Sequence, residues 1–228
     1  TMGPRDYLGG MRDHGGNATP VWVLGAWLLF AKAPANELTL TLAGLIDPLL
    51  VLLLFVAVWR SFGLRTMLYV AILFGATDFY QFGSNLVGST LRQDWLVAVG
   101  FGACAIRTKR YALGGALIAY GGLIRAFPAV ATFFLAAPVA WWLVEWIRDK
   151  RGKLSIRVLR DENRGAIRAM AGATAAVAIS VIVTSALFGL DGSWGNWFRK
   201  IEIHATGPSV NNVGLRNVLM YEPHHAAK

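Results

Sequence analysis

The sequence predicts an all-α protein, a polytopic transmembrane helical bundle of about six spans with one further external interfacial or re-entrant helix. Composition is the first reason. Hydrophobic residues make up 55% of the 228 and charged residues only 15%, with a mean hydropathy of +0.48. A water-soluble chain carries about 25% charge, so lipid is the simplest solvent for this one. The second reason is run length: Leu38–Trp59, Ala126–Ile147 and Ile167–Leu190 each approach the ~20 residues that cross a hydrocarbon core of about 30 Å. The third is the placement of basic residues, which gather in alternate loops as they do on a cytoplasmic face.

Taken in order, residues 1–37 form an external segment. Within it Pro20–Ala33 is apolar but too short to span, and Trp22 and Trp27 mark it as interfacial or re-entrant, with a short extra span as the alternative. The first residue is Thr1, and no signal-peptide layout follows it; a piece of a longer chain, preceded by an earlier span, is one expectation. Residues 38–190 form the bundle. Between the three long spans lie Thr66–Phe82, Trp95–Ile106 and Tyr111–Ile124, whose length alone also fits re-entrant or buried segments.

Charge argues that these shorter segments cross too. Arg60 and Arg65 flank the first turn, and Arg107, Lys109 and Arg110 mark the second. The 148–168 loop carries eight basic and three acidic residues, a net +5. The three loops together hold one positive charge more than the chain's +9, so the rest nets slightly negative and the basic excess lies on one side. That side is read as cytoplasmic, which leaves 1–37, the Asp78–Asp94 stretch, the Arg125–Pro128 turn and the 191–228 tail outside. The high pI then reflects orientation and contact with anionic membrane lipid, not nucleic acid.

Several residues have the types that carry chemistry. Asp47 lies near the middle of the first span, where a carboxylate costs roughly 2.5 kcal/mol or more and is functional by default; the plainer account is a pair with an arginine or a cap on a broken helix. Pro48 beside it removes a backbone donor. Asp78, Gln81, Asn85, Arg92 and Asp94 interleave with glycines and aromatics, a composition that suits a polar crevice. There Asp94 has the chemistry of an acid or base and Arg92 that of a bidentate phosphate clamp; a capping or surface pair is the alternative. Arg125 sits where one span ends and Pro128 opens the next, a position for snorkelling or for an anionic head group. The tail brings His204, Asn211, Asn212 and Arg216 together with Gly207, Pro208 and Gly214, as in a loop that closes over a site. Asp6 and Asp13 are external carboxylates, suited to a catalytic base or an oxygen-ligated metal or simply to a solvated loop.

Other chemistries lack their motifs. Cys104 is the only cysteine, so no intramolecular disulfide or cysteine metal site is available. No P-loop, dinucleotide fingerprint, HExxH or CxxC occurs. A metal site is not expected, and a divalent cation is allowed but not required.

The stretch 92–139, RQDWLVAVGFGACAIRTKRYALGGALIAYGGLIRAFPAVATFFLAAPV, resembles the polytopic glycosyltransferases of the GT-C superfamily, especially the bacterial mannosyltransferase-like family that uses polyprenyl-phosphate sugars. The likeness rests on the basic turn Ile106–Arg110, the small-residue helix start Ala112–Gly115, and Arg125 followed by Ala126, Phe127 and Pro128. The tail HATGPSVNNVGLRNV is similar to an external segment in relatives of these enzymes.

The resemblance covers about half the chain. It implies a lipid-linked sugar donor, an external active site, residence in the bacterial inner membrane, and an acidic catalytic residue on the first external loop. Asp13 or Asp6 matches that last position only if a span precedes Thr1.

The expected function is transfer of a sugar from a polyprenyl-phosphate donor to an acceptor on the non-cytoplasmic face. Asp13 or Asp6 would be the base, and Arg92, Arg125 and Arg216, with Asp94, His204 and Asn212 alongside, would line one crevice at the external boundary. Two alternatives belong to other classes: a transporter or channel subunit with Asp47 on its pathway, and a non-catalytic subunit packed through glycine-rich helices against other membrane subunits.

Overall fold

Asp47 shows how the bundle is organised. In the computed structural model, which describes residues 18–76, 90–125, 128–149 and 155–206 with the side chains of 203–206 excepted, it lies on the first long helix. That helix, α2 (Glu37–Phe62, 26 residues), follows α1 (Pro20–Phe30). Asn36 caps α2, its side chain accepting the Thr39 N–H at 2.9 Å, and Gly63 ends it at φ +92°, a conformation that excludes most side chains. Ala43, Asp47, Val51, Leu54 and Val58 are its buried residues, and their three- and four-residue spacing makes one face. Leu38, Leu42, Leu45, Leu49, Leu52 and Leu53 are exposed, the arrangement expected of a helix with lipid on its other side.

The chain continues through α3 (Leu64–Ala76), α4 (Asp94–Arg107) and α5 (Tyr111–Ile124). Next comes a helical rod, Ala129–Arg148, made of α6 (Ala129–Phe133), one 3-10 turn (Phe134–Ala136) and α7 (Ala137–Arg148). Pro138 near the start of α7 supplies no N–H to the preceding turn, which accounts for its tighter winding. A short α8 (Ile156–Glu162) leads into α9 (Arg164–Phe188). Gly189 at φ +75° ends α9, a single π turn (Asp191–Gly195) redirects the chain, and α10 (Asn196–Thr206) follows. No strand occurs among the described residues. Three helices, Glu37–Phe62, Ala129–Arg148 and Arg164–Phe188, are long and apolar enough to cross a membrane, as a multi-pass membrane protein requires.

Contacts fix the helix directions. Asp47 meets the backbone of Arg92 and Gln93, and Leu54, seven residues on, lies where a side chain on Gly100 would have to go. The equal offsets make α2 and α4 parallel and in register. A Cβ on Gly102 would press on the Gly114 carbonyl, one on Gly114 would press on the Gly102 carbonyl, and one on Gly121 would meet the Trp95 carbonyl, so α5 returns antiparallel to α4.

The closest approach is between α5 and α9. A Cβ on Gly115 would overlap the Ala169 carbonyl and one on Gly172 would overlap the Ala112 carbonyl. Tyr111 and Gly165, both at helix starts, also touch, so these two helices are parallel. Small residues three apart on each helix, Ala112 with Gly115 and Ala169 with Gly172, let the backbones come this near, which is how membrane helices gain packing energy without a hydrophobic driving force between them.

As a result Arg60, Arg107, Arg110 and Arg164 sit at one end of the bundle. At 14 residues each, α4 and α5 are only about 21 Å long, so their hairpin starts and ends at the level of Asp47. That level is ten residues, about 15 Å, along α2. The 11-residue α1, about 16 Å long, fills the space above it: Trp22 reaches Leu91, Gly25 faces the Tyr120 hydroxyl and Trp27 stacks edge-on against Phe188.

Candidate functional site

The open end of the α4–α5 hairpin collects charge inside an apolar bundle. Asp47 is fully buried. Its Oδ2 accepts the Arg92 N–H at 2.9 Å and its Oδ1 the Gln93 N–H at 3.3 Å. The carboxylate has no donor of its own, and amides just ahead of a helix have no carbonyl within the helix to bond, so each satisfies the other. Asp47 thus faces protein, and its partners are backbone N–H groups, where the sequence points to an arginine, a backbone carbonyl opened by Pro48, or a serine, threonine or asparagine side chain. Helix α2 runs unbroken through Pro48.

The Thr90–Gln93 segment is held at two points. Leu91 has φ +53°, a backbone state rarely adopted by branched residues, and its carbonyl accepts the Trp22 Nε1–H at 2.7 Å. Asp94 starts α4, buried, with Oδ1 accepting the Trp95 N–H at 2.8 Å. Asp47 and Arg125 are both near enough to act on its charge, and Asp94 acts in turn on Tyr120. Arg125 is the half-buried cap residue at the end of α5, and the Arg92 side chain is exposed.

Asp47, Arg92, Asp94 and Arg125 therefore share one level, built from α2, the strap before α4 and the end of α5. The backbone of His204 belongs to α10; its side chain lies outside what is described, as do Asp6, Asp13, Asp78, Gln81, Asn85, Asn212 and Arg216. Among the described residues no three of His, Cys, Asp and Glu are gathered as metal ligands. Cys104 is buried beside Val51, Leu54 and Val97, a packing position.

Sequence reading missed Trp22 and Tyr120. Trp22 looks like an interfacial anchor and Tyr120 like one aromatic in a glycine-rich helix. Only the seating of α1 on the hairpin gives Trp22 the Leu91 carbonyl as partner and lays Gly25 against the Tyr120 hydroxyl, and no local pattern signals it.

No family model, no curated protein and no solved structure matches this chain.

Proposed function

We propose that this chain is a multi-pass integral-membrane glycosyltransferase that takes its sugar from a polyprenyl-phosphate donor. The supporting observation is that Arg92, Asp94 and Arg125, three of the six charged residues of the segment that resembles such enzymes, share the open end of the α4–α5 hairpin. In this reading the basic ends face the cytoplasm, and the six segments from α2 to α9 form the bundle, with α4 and α5 as its short members. The two guanidiniums hold the donor phosphate as negative charge grows on it, the electrostatic task that phosphate leaving requires. The acceptor hydroxyl loses its proton to a carboxylate, Asp13 or Asp6 of the N-terminal segment, with Asp94 the nearest alternative. Asp47 holds the strap and takes no part in the chemistry, because both its oxygens are already engaged.

The test is binding of polyprenyl-phosphate mannose to the full chain in nanodiscs, followed by native mass spectrometry. Arg125→Ala and Arg92→Ala should each weaken binding about tenfold or more, the worth of a hydrogen bond to a charged group. Equal binding by both variants and the wild type would reject the reading.

A transporter is the second reading, and one observation favours it. Helices α1 and α4 both begin at the level of Asp47, where Trp22 reaches Leu91, and discontinuous helices with N-termini at mid-membrane mark substrate sites in transporters. Uptake of a separately supplied soluble sugar phosphate into sealed vesicles, with the polyprenyl donor left intact, would select it.

A further inference from the structure

A second feature lies above the strap and is mostly apolar, with no charged side chain in its lining. Between α1 and the first turns of α2 is a cleft of about 330 Å³. Trp22, Ala26 and Phe30 form one wall, Thr39, Leu40 and Ala43 the other, and Thr90 and Leu91 the floor. Leu40, on the same face of α2 as Ala43 and Asp47 but above the hairpin, is exposed at the mouth of the cleft. Its upper end is the link between the helices, where Lys32 stands exposed between the lining residues Phe30 and Ala33. The N-terminus of α2 points at the same place and adds partial positive charge, against the one carboxylate of Glu37.

We infer that this cleft holds one acyl chain of an anionic phospholipid, with the phosphate beside Lys32 and the chain running inward to Leu91. The polarity of the cleft decides for a phospholipid over the polyprenyl donor. The cationic end lies at the start of α2, where phospholipid head groups sit, and the deep end, at Thr90 and Leu91, presents no charged side chain. A donor whose phosphate is to reach Arg125 would enter the cleft head first and leave its own charge against Trp22 and Leu91. The lipid is a resident that wedges α1 against α2, and so supports the Trp22 contact with the strap. This inference does not depend on the transferase reading.

The experiment uses the full chain in phosphatidylcholine nanodiscs containing phosphatidylglycerol with a photoreactive acyl chain, and cross-linked positions are mapped by peptide mass spectrometry. Cross-links are expected to concentrate on residues 22–43. Thr39→Trp or Ala26→Phe should remove them while those on the lipid face at Leu49, Leu52 and Leu53 persist, which shows that the variants are folded. Lys32→Ala should lower the cleft cross-links about fivefold for phosphatidylglycerol, the worth of one basic residue at an anionic surface, and leave those of photoreactive phosphatidylcholine unchanged. The inference fails if the cleft labels no more densely than the lipid face or if both filling variants label like the wild type. It fails equally if the lysine variant affects both lipids alike, or if polyprenyl phosphate at equal mole fraction displaces the phospholipid.

Discussion

Asp47 and Arg92 stand 45 residues apart in sequence and are joined by a hydrogen bond of 2.9 Å from the Arg92 amide to the Asp47 carboxylate. The bond ties a buried acid on the first long helix to the strap that begins α4. It gives Asp47 a structural task that needs no titration and no ligand. Replacing Asp47 with Leu leaves the Arg92 and Gln93 amides without acceptors, at a cost of about 1–3 kcal/mol for each buried group. Asp47→Asn keeps one acceptor oxygen and should lose less. Thermal unfolding in detergent measures both, and a Leu variant as stable as the wild type would dismiss the latch.

Backbone proximity makes a second prediction. Gly115 and Gly172 each lie against the other helix's alanine carbonyl, so Gly115→Leu or Gly172→Leu must push α5 and α9 apart. A loss of about 3 kcal/mol or more is expected, as for severe overpacking. Gly75→Ala is the control. No atom of the described residues lies within 4 Å of a Cβ there, so that change should be neutral or stabilise by up to about 1 kcal/mol through helix propensity. Similar melting temperatures for the Gly115 and Gly75 variants would contradict the packing.

The third prediction concerns orientation. Ser155→Cys, beside the basic 148–168 loop, and Ala205→Cys, on α10, should be labelled by an impermeant thiol reagent from opposite sides of sealed vesicles. Work in a Cys104→Ala background removes the native thiol. Labelling from one side only would overturn the six-segment topology.

Trp22 supplies the fourth. Trp22→Phe keeps most of the apolar contact and removes the Nε1–H bond to Leu91. A stability loss of about 1 kcal/mol is expected, together with faster hydrogen exchange at the amides of residues 19–30 as α1 loosens. Unchanged exchange there would mean that apolar packing alone seats α1.

The helical class, three apolar helices long enough to cross a membrane, and the basic cluster of Arg60, Arg107, Arg110 and Arg164 were all legible in the residues. Each follows from a local quantity: an apolar run long enough for a hydrocarbon core, or arginines at a helix terminus. Tyr111–Ile124 could be read off to the residue, because Arg110 and Arg125 bracket an uninterrupted apolar run. Cys104 was equally legible as a small buried packing residue.

Only the tertiary structure decided what the polar residues do. Asp47 reads as a candidate site until the amides that satisfy it come from residues 92 and 93, and nothing near position 47 encodes that partner. The registers of α2 with α4 and of α5 with α9 likewise depend on which glycine meets which backbone. A lone glycine in a membrane helix announces that something fits closely against it, but the identity of the partner is a property of two helices, fixed when their backbones pack.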